Sequence, residues 1–391
     1  MPAKPTISFD NLKVAFASKS DAELRKMHLV FALLNNKFVS DLGIALTKIG
    51  FALRLPIKGI MKQTMFGHFC GGETIAESTA AAQKLAEYGV ESTLDYSVEG
   101  DGDEASYDQT CAEILKTIEK AQNQDSLPFA VFKVTGLGDH RVMTKVQAGE
   151  ILSQEESLAY DRLKNRVDQL CHAAFQKGVK ILIDAEESWF QDTIDSMAYE
   201  AMEKYNRESC IVYNTYQMYR HDMLERLKAA EQVAKANGYL LGAKLVRGAY
   251  MEKEAERAEE MGYTNPIQPN KVATDRDYDL GVEFCISNGV YLVSGSHNEA
   301  SNHLVVELIE KHGIDKASDQ VFFAQLYGMS DNISFNLANA GYRVLKYVPY
   351  GPVEKVMPYL IRRASENSSI AGQSSREFSL IKKEIARRKS K

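Results

Sequence analysis

Two adjacent arginines followed closely by a glutamate are the most informative chemistry in the chain, within Tyr359-Leu360-Ile361-Arg362-Arg363-Ala364-Ser365-Glu366-Asn367. On a helix, Arg362 and Glu366 stand at i,i+4 and Arg363 and Glu366 at i,i+3, so one carboxylate can brace both guanidiniums. Two braced planar forks suit a small carboxylate. The same spacing also serves an exposed helix with ordinary ion pairs. A second cationic stretch, Ala243-Lys244-Leu245-Val246-Arg247-Gly248-Ala249-Tyr250, sets two cations ahead of a glycine. Backbone amides there can approach an anionic or electron-rich group, although an edge strand with snorkelling Lys and Arg reads alike.

Ile181-Leu182-Ile183-Asp184-Ala185-Glu186-Glu187 drives acids off the end of an apolar run. Such acids bind metal, act as bases, or pair with Lys133 or Arg247. No histidine lies nearby in sequence to complete a metal set, and no metal site is expected. Ser294-Gly295-Ser296-His297-Asn298 ends another apolar run on His297. Lys133 and Lys244 could each form a Schiff base, the device of barrel aldolases, which makes a lyase the main rival enzyme class. A non-catalytic barrel that binds an acidic ligand is the third reading. Tyr250, Tyr347 and Tyr359 fit a core as well as a pocket.

These side chains need elements to carry them. From Glu91 onward a short apolar or β-branched run, a polar loop and an amphipathic helix keep recurring. The strand-like runs are Ser92–Ser97, Phe129–Thr135, Val179–Glu186, Cys210–Gln217, Ala243–Tyr250, Val290–His297, Val321–Gly328 and Arg343–Pro349. Alternating β and α units make a parallel sheet, and eight of them close a (β/α)₈ barrel of about 250 residues or more. An open doubly wound sheet is the runner-up. In a barrel the carboxyl ends of the strands build the active site, and several runs end in polar groups there: Lys133, Asp184, Glu186, Asn214, Arg247, Tyr250 and His297. The first 75 or so residues read as helices without sheet signal, with Ser20 as an N-cap and Glu23 completing a capping box. The expected organisation is a helical segment over 1–85 and a catalytic barrel over 86–391.

Gly100-Asp101-Gly102-Asp103-Glu104-Ala105 matches a dinucleotide fingerprint after a strand. Glu99, Asp101, Asp103 and Glu104 would repel a pyrophosphate, so a solvated acidic loop is the better reading.

At 391 residues, 45% hydrophobic and 26% charged, the composition excludes disordered, collagen-like and coiled-coil chains. A net charge of −6 gives no invitation to nucleic acid. The five cysteines stand apart without a C-x-x-C, the usage of a reducing compartment. No run reaches the ~20 apolar residues of a spanning helix; the longest, around Leu42 to Ile60, is broken by Lys48, Arg54 and Lys58. No signal or transit peptide is apparent, so the chain reads as cytoplasmic, or as an already processed mitochondrial protein. From Arg376 to Lys391, seven basic residues face Glu377 and Glu384, with Phe378, Ile381 and Ile385 at helical spacing. Such a tail could lie on an anionic membrane or fray in solvent.

KLVRGAY (Lys244–Tyr250), DAEE (Asp184–Glu187), SHN (Ser296–Asn298), FAQLYGM (Phe323–Met329), YVPYGPV (Tyr347–Val353) and YLIRRASENSS (Tyr359–Ser369) together resemble the proline dehydrogenase family, in family order over Lys133 to Ser369. The resemblance implies a distorted (β/α)₈ TIM-type barrel holding non-covalent FAD. It implies oxidation of L-proline to Δ1-pyrroline-5-carboxylate by hydride transfer to flavin N5, the first step of proline catabolism to glutamate. Electrons would pass to a membrane quinone, with contact to the inner membrane or the mitochondrial matrix face. Carried over residue by residue, Arg362 and Arg363 correspond to the pair on the substrate carboxylate and Glu366 to their brace. Lys133 and Asp184 stand at the substrate side, and Tyr250, Leu326, Tyr347 and Tyr359 wall the ring. Asn214, Val246, Arg247, Gly248, Ala249, Ser296, His297 and Lys271 would hold FAD, and Lys244 or Arg247 would supply a cation near the flavin. Many bacterial members carry Arg, Gln and Thr where this chain has Lys244, Asn214 and Ser296. The KLVRGAYMEKE and YVPYGPV forms resemble the subgroup that includes eukaryotic enzymes. Relatives acting on 4-hydroxyproline tend to have a smaller residue at Tyr347, so this chain is expected to favour proline. Its length implies a monofunctional enzyme.

Overall fold

Each expected run overlaps one strand: β1 (Glu91–Tyr96), β2 (Phe129–Lys133), β3 (Lys180–Asp184), β4 (Val212–Gln217), β5 (Gly242–Val246), β6 (Tyr291–Gly295), β7 (Val321–Leu326) and β8 (Val344–Tyr350). They close into a barrel in chain order. The structure is a computed structural model that describes residues 7–34, 43–47, 53, 55–98, 102–369 and 373–390, with the backbone alone for Leu34, 362–369 and 373–375. Ladders run parallel from β2 through β7, and β1 pairs with β8 from Glu91↔Leu345 to Tyr96↔Tyr350. Parallel strands need a crossover, and helices such as Glu104–Ala121, Gln154–Lys177, Ser188–Tyr205 and Lys271–Asn288 supply it.

Local chemistry sets the helix ends. Ser153 and Glu156 form a reciprocal capping box on Gln154–Lys177, which stops at Gly178 in the left-handed conformation (φ 65°). Ser20 and Glu23 do the same before Asp21–Leu34, with Ser20 N donating to Glu23 Oε2 at 2.7 Å and Glu23 N to Ser20 Oγ at 3.2 Å. The dinucleotide-like loop holds a cap as well, since Asp103 accepts from Ser106 N at 2.9 Å and starts Glu104–Ala121. Glu99, Gly100 and Asp101 lie outside the described residues.

Six of the eight expected runs overshoot their strands at the carboxyl end, those over β4 and β8 excepted. Thr135 belongs to a 3₁₀ turn, Val134–Gly136, and Tyr250 is the cap residue of the helix Met251–Met261. Glu186 and His297 follow β3 and β6 in the loops. Composition stays strand-like there, yet the chain leaves the ladder to present side chains.

The chain divides into two compact units, one of Gly100–Ala324 and one of Ile7–Glu99 with Gln325–Lys391. The second unit has its own core between the chain's two ends. Phe16, Leu24, Met27 and Phe31 pack against Leu380 and Ile381 of the helix Gln373–Lys389. Phe378 and Ile385 join them, so the apolar stripe of the basic tail serves the protein's own interior. Glu384 is fully buried and holds Arg387 and Arg388, each at 2.7 Å. Arg388 then donates to the carbonyls of Phe16 and Lys19 at 2.9 Å. Lys382, Lys383 and Lys389 remain exposed.

Truncating fully buried Ile381 to Ala should cost about 2–5 kcal/mol, since the cavity opens between two helices that cannot both collapse. Thermal unfolding followed by circular dichroism is expected to start several degrees earlier. A melt superimposable on the parent's would show that this seam contributes nothing.

Candidate active site

In the unit Gly100–Ala324, strand alternation decides which side chains look into the barrel. Leu245 faces the helices, its side chain lying against Gly281, so Lys244 and Val246 face inward. Through the register Thr215↔Lys244, Leu182↔Tyr213 and Lys133↔Asp184, the residues Thr215, Gln217, Leu182, Asp184 and Lys133 share that inner face. Asp184 Oδ2 accepts from Lys133 Nζ at 2.9 Å, while Oδ1 accepts from Lys244 Nζ. Lys133 is its neighbour in register; Lys244 reaches it because alternate strands supply the same layer of a barrel. Burial alone would raise the Asp184 carboxyl, but the two ammoniums outweigh burial and hold it below the usual carboxylate range. A Schiff-base lysine must offer a neutral amine. Both lysines instead grip an anion, which argues against the lyase. Asp184 does not pair with Arg247.

Glu186 is buried just beyond β3. It accepts from Thr135 Oγ1 at 2.5 Å and from Thr135 N at 2.9 Å. Burial pushes its carboxyl up to about 7, more than Lys133 and Thr135 pull it down. Its backbone is fixed too, with Gln191 accepting from its N–H at 2.7 Å and Gln217 Nε2 donating to its carbonyl at 2.9 Å.

One expectation needs correcting. Asn214 shares the outer face with Ile183 and Ala243, and its Nδ2 donates to Asp195 Oδ1 at 2.8 Å on the helix Ser188–Tyr205. Its other amide atom accepts from Thr215 N at 2.9 Å. A side chain spent on the helix layer cannot serve a ligand inside the barrel. The inward amide of β4 is Gln217, and its Oε1 is buried without a donor among the described residues. Sequence reading passed over Gln217 because the face a strand turns inward is set by its register with its neighbours, which the run alone does not show.

Arg247 follows β5 and is built into a cluster of its own. Its guanidinium donates to Asp275 Oδ1 at 2.8 Å, Ser296 Oγ at 2.7 Å and Ser301 Oγ at 2.9 Å. It also lies 4.0 Å from the centre of the Tyr278 ring. Lys271 shares Asp275 and is largely exposed. Ser296 Oγ accepts in addition from Asn298 N at 3.1 Å. Val246, Gly248, Ala249 and His297 are half-buried, and Gly248 takes a φ of 96° that only glycine adopts without strain. Asp275 and Ser301 escaped sequence analysis because they lie in helices dozens of residues away.

In the second unit, Tyr347 pairs with Thr93 on the inner face of β8, and its carbonyl accepts from Tyr327 N at 2.8 Å. Leu326 closes β7 half-buried. Tyr359 is buried with Phe66, Cys70, Val353, Val356, Met357 and Leu360, which seat the helix Val353–Ser369. Glu73 accepts from Val353 N at 3.1 Å and is itself paired with Lys62, so a distant carboxylate starts that helix. Arg362, Arg363 and Glu366 lie on it, and their side chains are outside the described residues. Tyr250 is buried in the first unit.

The Glu186 carboxyl gives a pH signature. Folded, it keeps its proton to about 7; unfolded, it releases it near ~4.3. Between those values the folded chain binds more protons, so this group lowers stability as pH rises, by at most about 1.4 kcal/mol per unit. Glu186→Gln removes that slope. Its thermal stability relative to the parent is expected to improve from about pH 5 to about pH 8, and parallel trends would exclude a strained carboxyl here.

The family model for proline dehydrogenase matches residues 78–376. "Proline dehydrogenase 1, mitochondrial" from Dictyostelium discoideum is 34% identical over 95% of this chain and 74% of its own length. "Carbapenem antibiotics biosynthesis protein CarD" from Pectobacterium carotovorum is 34% identical over 82% of this chain and 83% of its own. In fold, the chain is similar to proline utilization A from Bdellovibrio bacteriovorus, inactivated by N-propargylglycine, at a TM-score of 0.72 and 21% identity. That likeness covers 93% of this chain, which spans only 37% of the larger one. With the family's matched region extending over the barrel strands and the paired arginines alike, the chain belongs to the proline dehydrogenase family of enzymes.

Proposed function

We propose that the chain oxidises L-proline to Δ1-pyrroline-5-carboxylate with non-covalently held FAD and passes the electrons to a membrane quinone. Family membership supports the reaction class. The observation that carries the site is Asp184 gripped by Lys133 and Lys244 on the inner face of the strand ends. Two cations against one anion leave an excess of positive charge, which suits a group that gains electrons. FAD supplies a hydride-accepting ring when bound.

The residues fit such a group. Gln217 Oε1 is a buried acceptor that still lacks a donor among the described residues, and a flavin's ring N–H is one. Gly248 opens the backbone after β5, and Arg247, locked by Asp275, Ser296 and Ser301, offers a cation whose geometry does not wander. Gln217, Val246, Arg247, Gly248, Ala249, Ser296 and His297 would hold FAD, with Lys271 at its exposed edge. Asn214 is not among them.

Arg362 and Arg363, braced by Glu366, would take the substrate carboxylate, because two planar forks match its oxygens. Tyr250, Leu326, Tyr347 and Tyr359 would enclose the apolar ring, with Lys133 and Asp184 at the substrate side. Holding the ring carbon in place is most of the task. Electron delivery to a membrane quinone would require contact with the inner membrane or its mitochondrial equivalent. Exposed Lys382, Lys383 and Lys389 support this contact by charge. Among the described residues no helix is long and apolar enough to cross a membrane.

The purified protein should be yellow, with flavin absorption bleached by L-proline under anaerobic conditions; a colourless protein trapped by borohydride with a keto acid would instead establish the lyase. Arg362→Met and Arg363→Met should each raise KM for proline at least about tenfold with FAD retained, the loss of a charge-assisted fork. An unchanged KM in both would place the carboxylate elsewhere. Tyr347→Ser should improve use of 4-hydroxyproline relative to proline, and a constant ratio removes Tyr347 from selectivity.

A further inference from the structure

In the unit formed by both ends of the chain, β8 carries a lysine that no role above employs. Lys346 is fully buried, and strand alternation turns it to the outer face while Tyr347 looks inward. Its ammonium donates to Asp331 Oδ1 at 3.0 Å, to the carbonyl of Met329, and to the carbonyl of Leu326 at 3.4 Å. Asp331 also faces Lys19 at 3.5 Å, and these two ammoniums outweigh burial to keep it ionised.

The same turn is gripped at every other point. His68 Nε2 bonds the carbonyl of Gly328 at 2.8 Å; burial pushes this imidazole down to about 4, so it is neutral and donates. Gly328 has a φ of 77° and passes so close to the His68 carbonyl that a Cβ would collide with it. Ser330 sits in the left-handed region, φ 51°, and its N–H donates at 2.5 Å to Glu377 from the C-terminal helix. Four residues, Leu326, Gly328, Met329 and Ser330, are thus each held by a side chain from elsewhere in the unit. Tyr327 N adds the bond to the carbonyl of Tyr347. Buried ion pairs contribute little to stability compared with apolar packing of equal volume, so this outlay is better explained by the geometry it fixes.

We infer that Lys346 is a positioning residue for substrate selection: acting with Asp331, His68 and Glu377 on the outer face of β8, it holds the turn after β7 and thereby fixes the two ring-facing residues Leu326 and Tyr347. The inference rests on the proline-oxidising reading above. It assigns Lys346 no contact with substrate. Releasing the turn lets Leu326 and Tyr347 recede, which loosens the fit to an unsubstituted five-membered ring and makes room for a substituent.

The test compares the parent with Lys346→Met/Asp331→Asn, which removes both charges of the fully buried pair together, so that only half-buried Lys19 loses its carboxylate partner. Flavin per chain, KM and kcat are measured with L-proline and with 4-hydroxy-L-proline. The double variant is expected to retain flavin, to raise KM for proline at least about fivefold with kcat changed less than about twofold, and to shift the hydroxyproline-to-proline ratio of kcat/KM upward. Glu377→Ala loosens the turn at Ser330 without touching the strand and should move both quantities the same way; it decides the matter should the double variant fail to fold. A folded, flavin-replete variant with parental KM and ratio overturns the inference and leaves Lys346 a packing residue. A parent that bleaches with proline but whose variants are indistinguishable from it refutes only this inference, whereas a parent inert to proline removes the reading beneath it.

Discussion

The grip of two ammoniums on the Asp184 carboxylate is the interaction on which the rest of the strand-end chemistry depends. Three charges are taken out of water, at the carboxyl ends of β2 and β3 and in the middle of β5. Left unpaired, any one of them would be prohibitively costly to bury. Paired, they leave one cation in excess, and the residues around them extend that arrangement outward. Glu186 is tied to Thr135, its backbone is held by Gln191 and Gln217, and Gln217 keeps an acceptor in reserve. A site whose charges are already paired as far as the fold allows would need little reorganisation around the electron-accepting ring proposed for it.

The same logic runs through the Arg247 cluster, where the cation is immobilised by one carboxylate, two hydroxyls and an aromatic face. Across both clusters the residue that would meet a ligand is short of freedom. Its rotamer is fixed by neighbours drawn from other βα units, and this precision is hard to obtain from a loop alone.

How much of this could be read in advance divides along physical lines. The eight strands were legible because β-branched runs bounded by helices are a local signal. Strand ends were misjudged where composition outlasts the ladder, as at Thr135 and Tyr250. Asn214 was misassigned because its type suits a ligand while its parity on β4 turns it toward Asp195; a strand's facing depends on register, which a single run does not reveal. Asp195, Asp275 and Asp331 were invisible, and Glu377 read only as an acid of the basic tail, for a different reason: each acts on a residue well separated along the chain, and nothing local distinguishes them from solvated acids. Lys346 looked like any strand lysine until the helix after β7 was seen to cover it.

The seam between Phe16, Phe31 and Ile381 has a consequence for biogenesis. Phe16 and Phe31 have their apolar partners in the helix Gln373–Lys389, and β1 finds β8 only when more than three hundred residues have been translated. The opening helices must therefore wait on the ribosome with their greasy sides uncovered while Gly100–Ala324 condenses ahead of them. Losing the helix Gln373–Lys389 would leave Phe16, Leu24, Met27 and Phe31 without their mates, an exposed apolar face of the kind that chaperones and proteases capture.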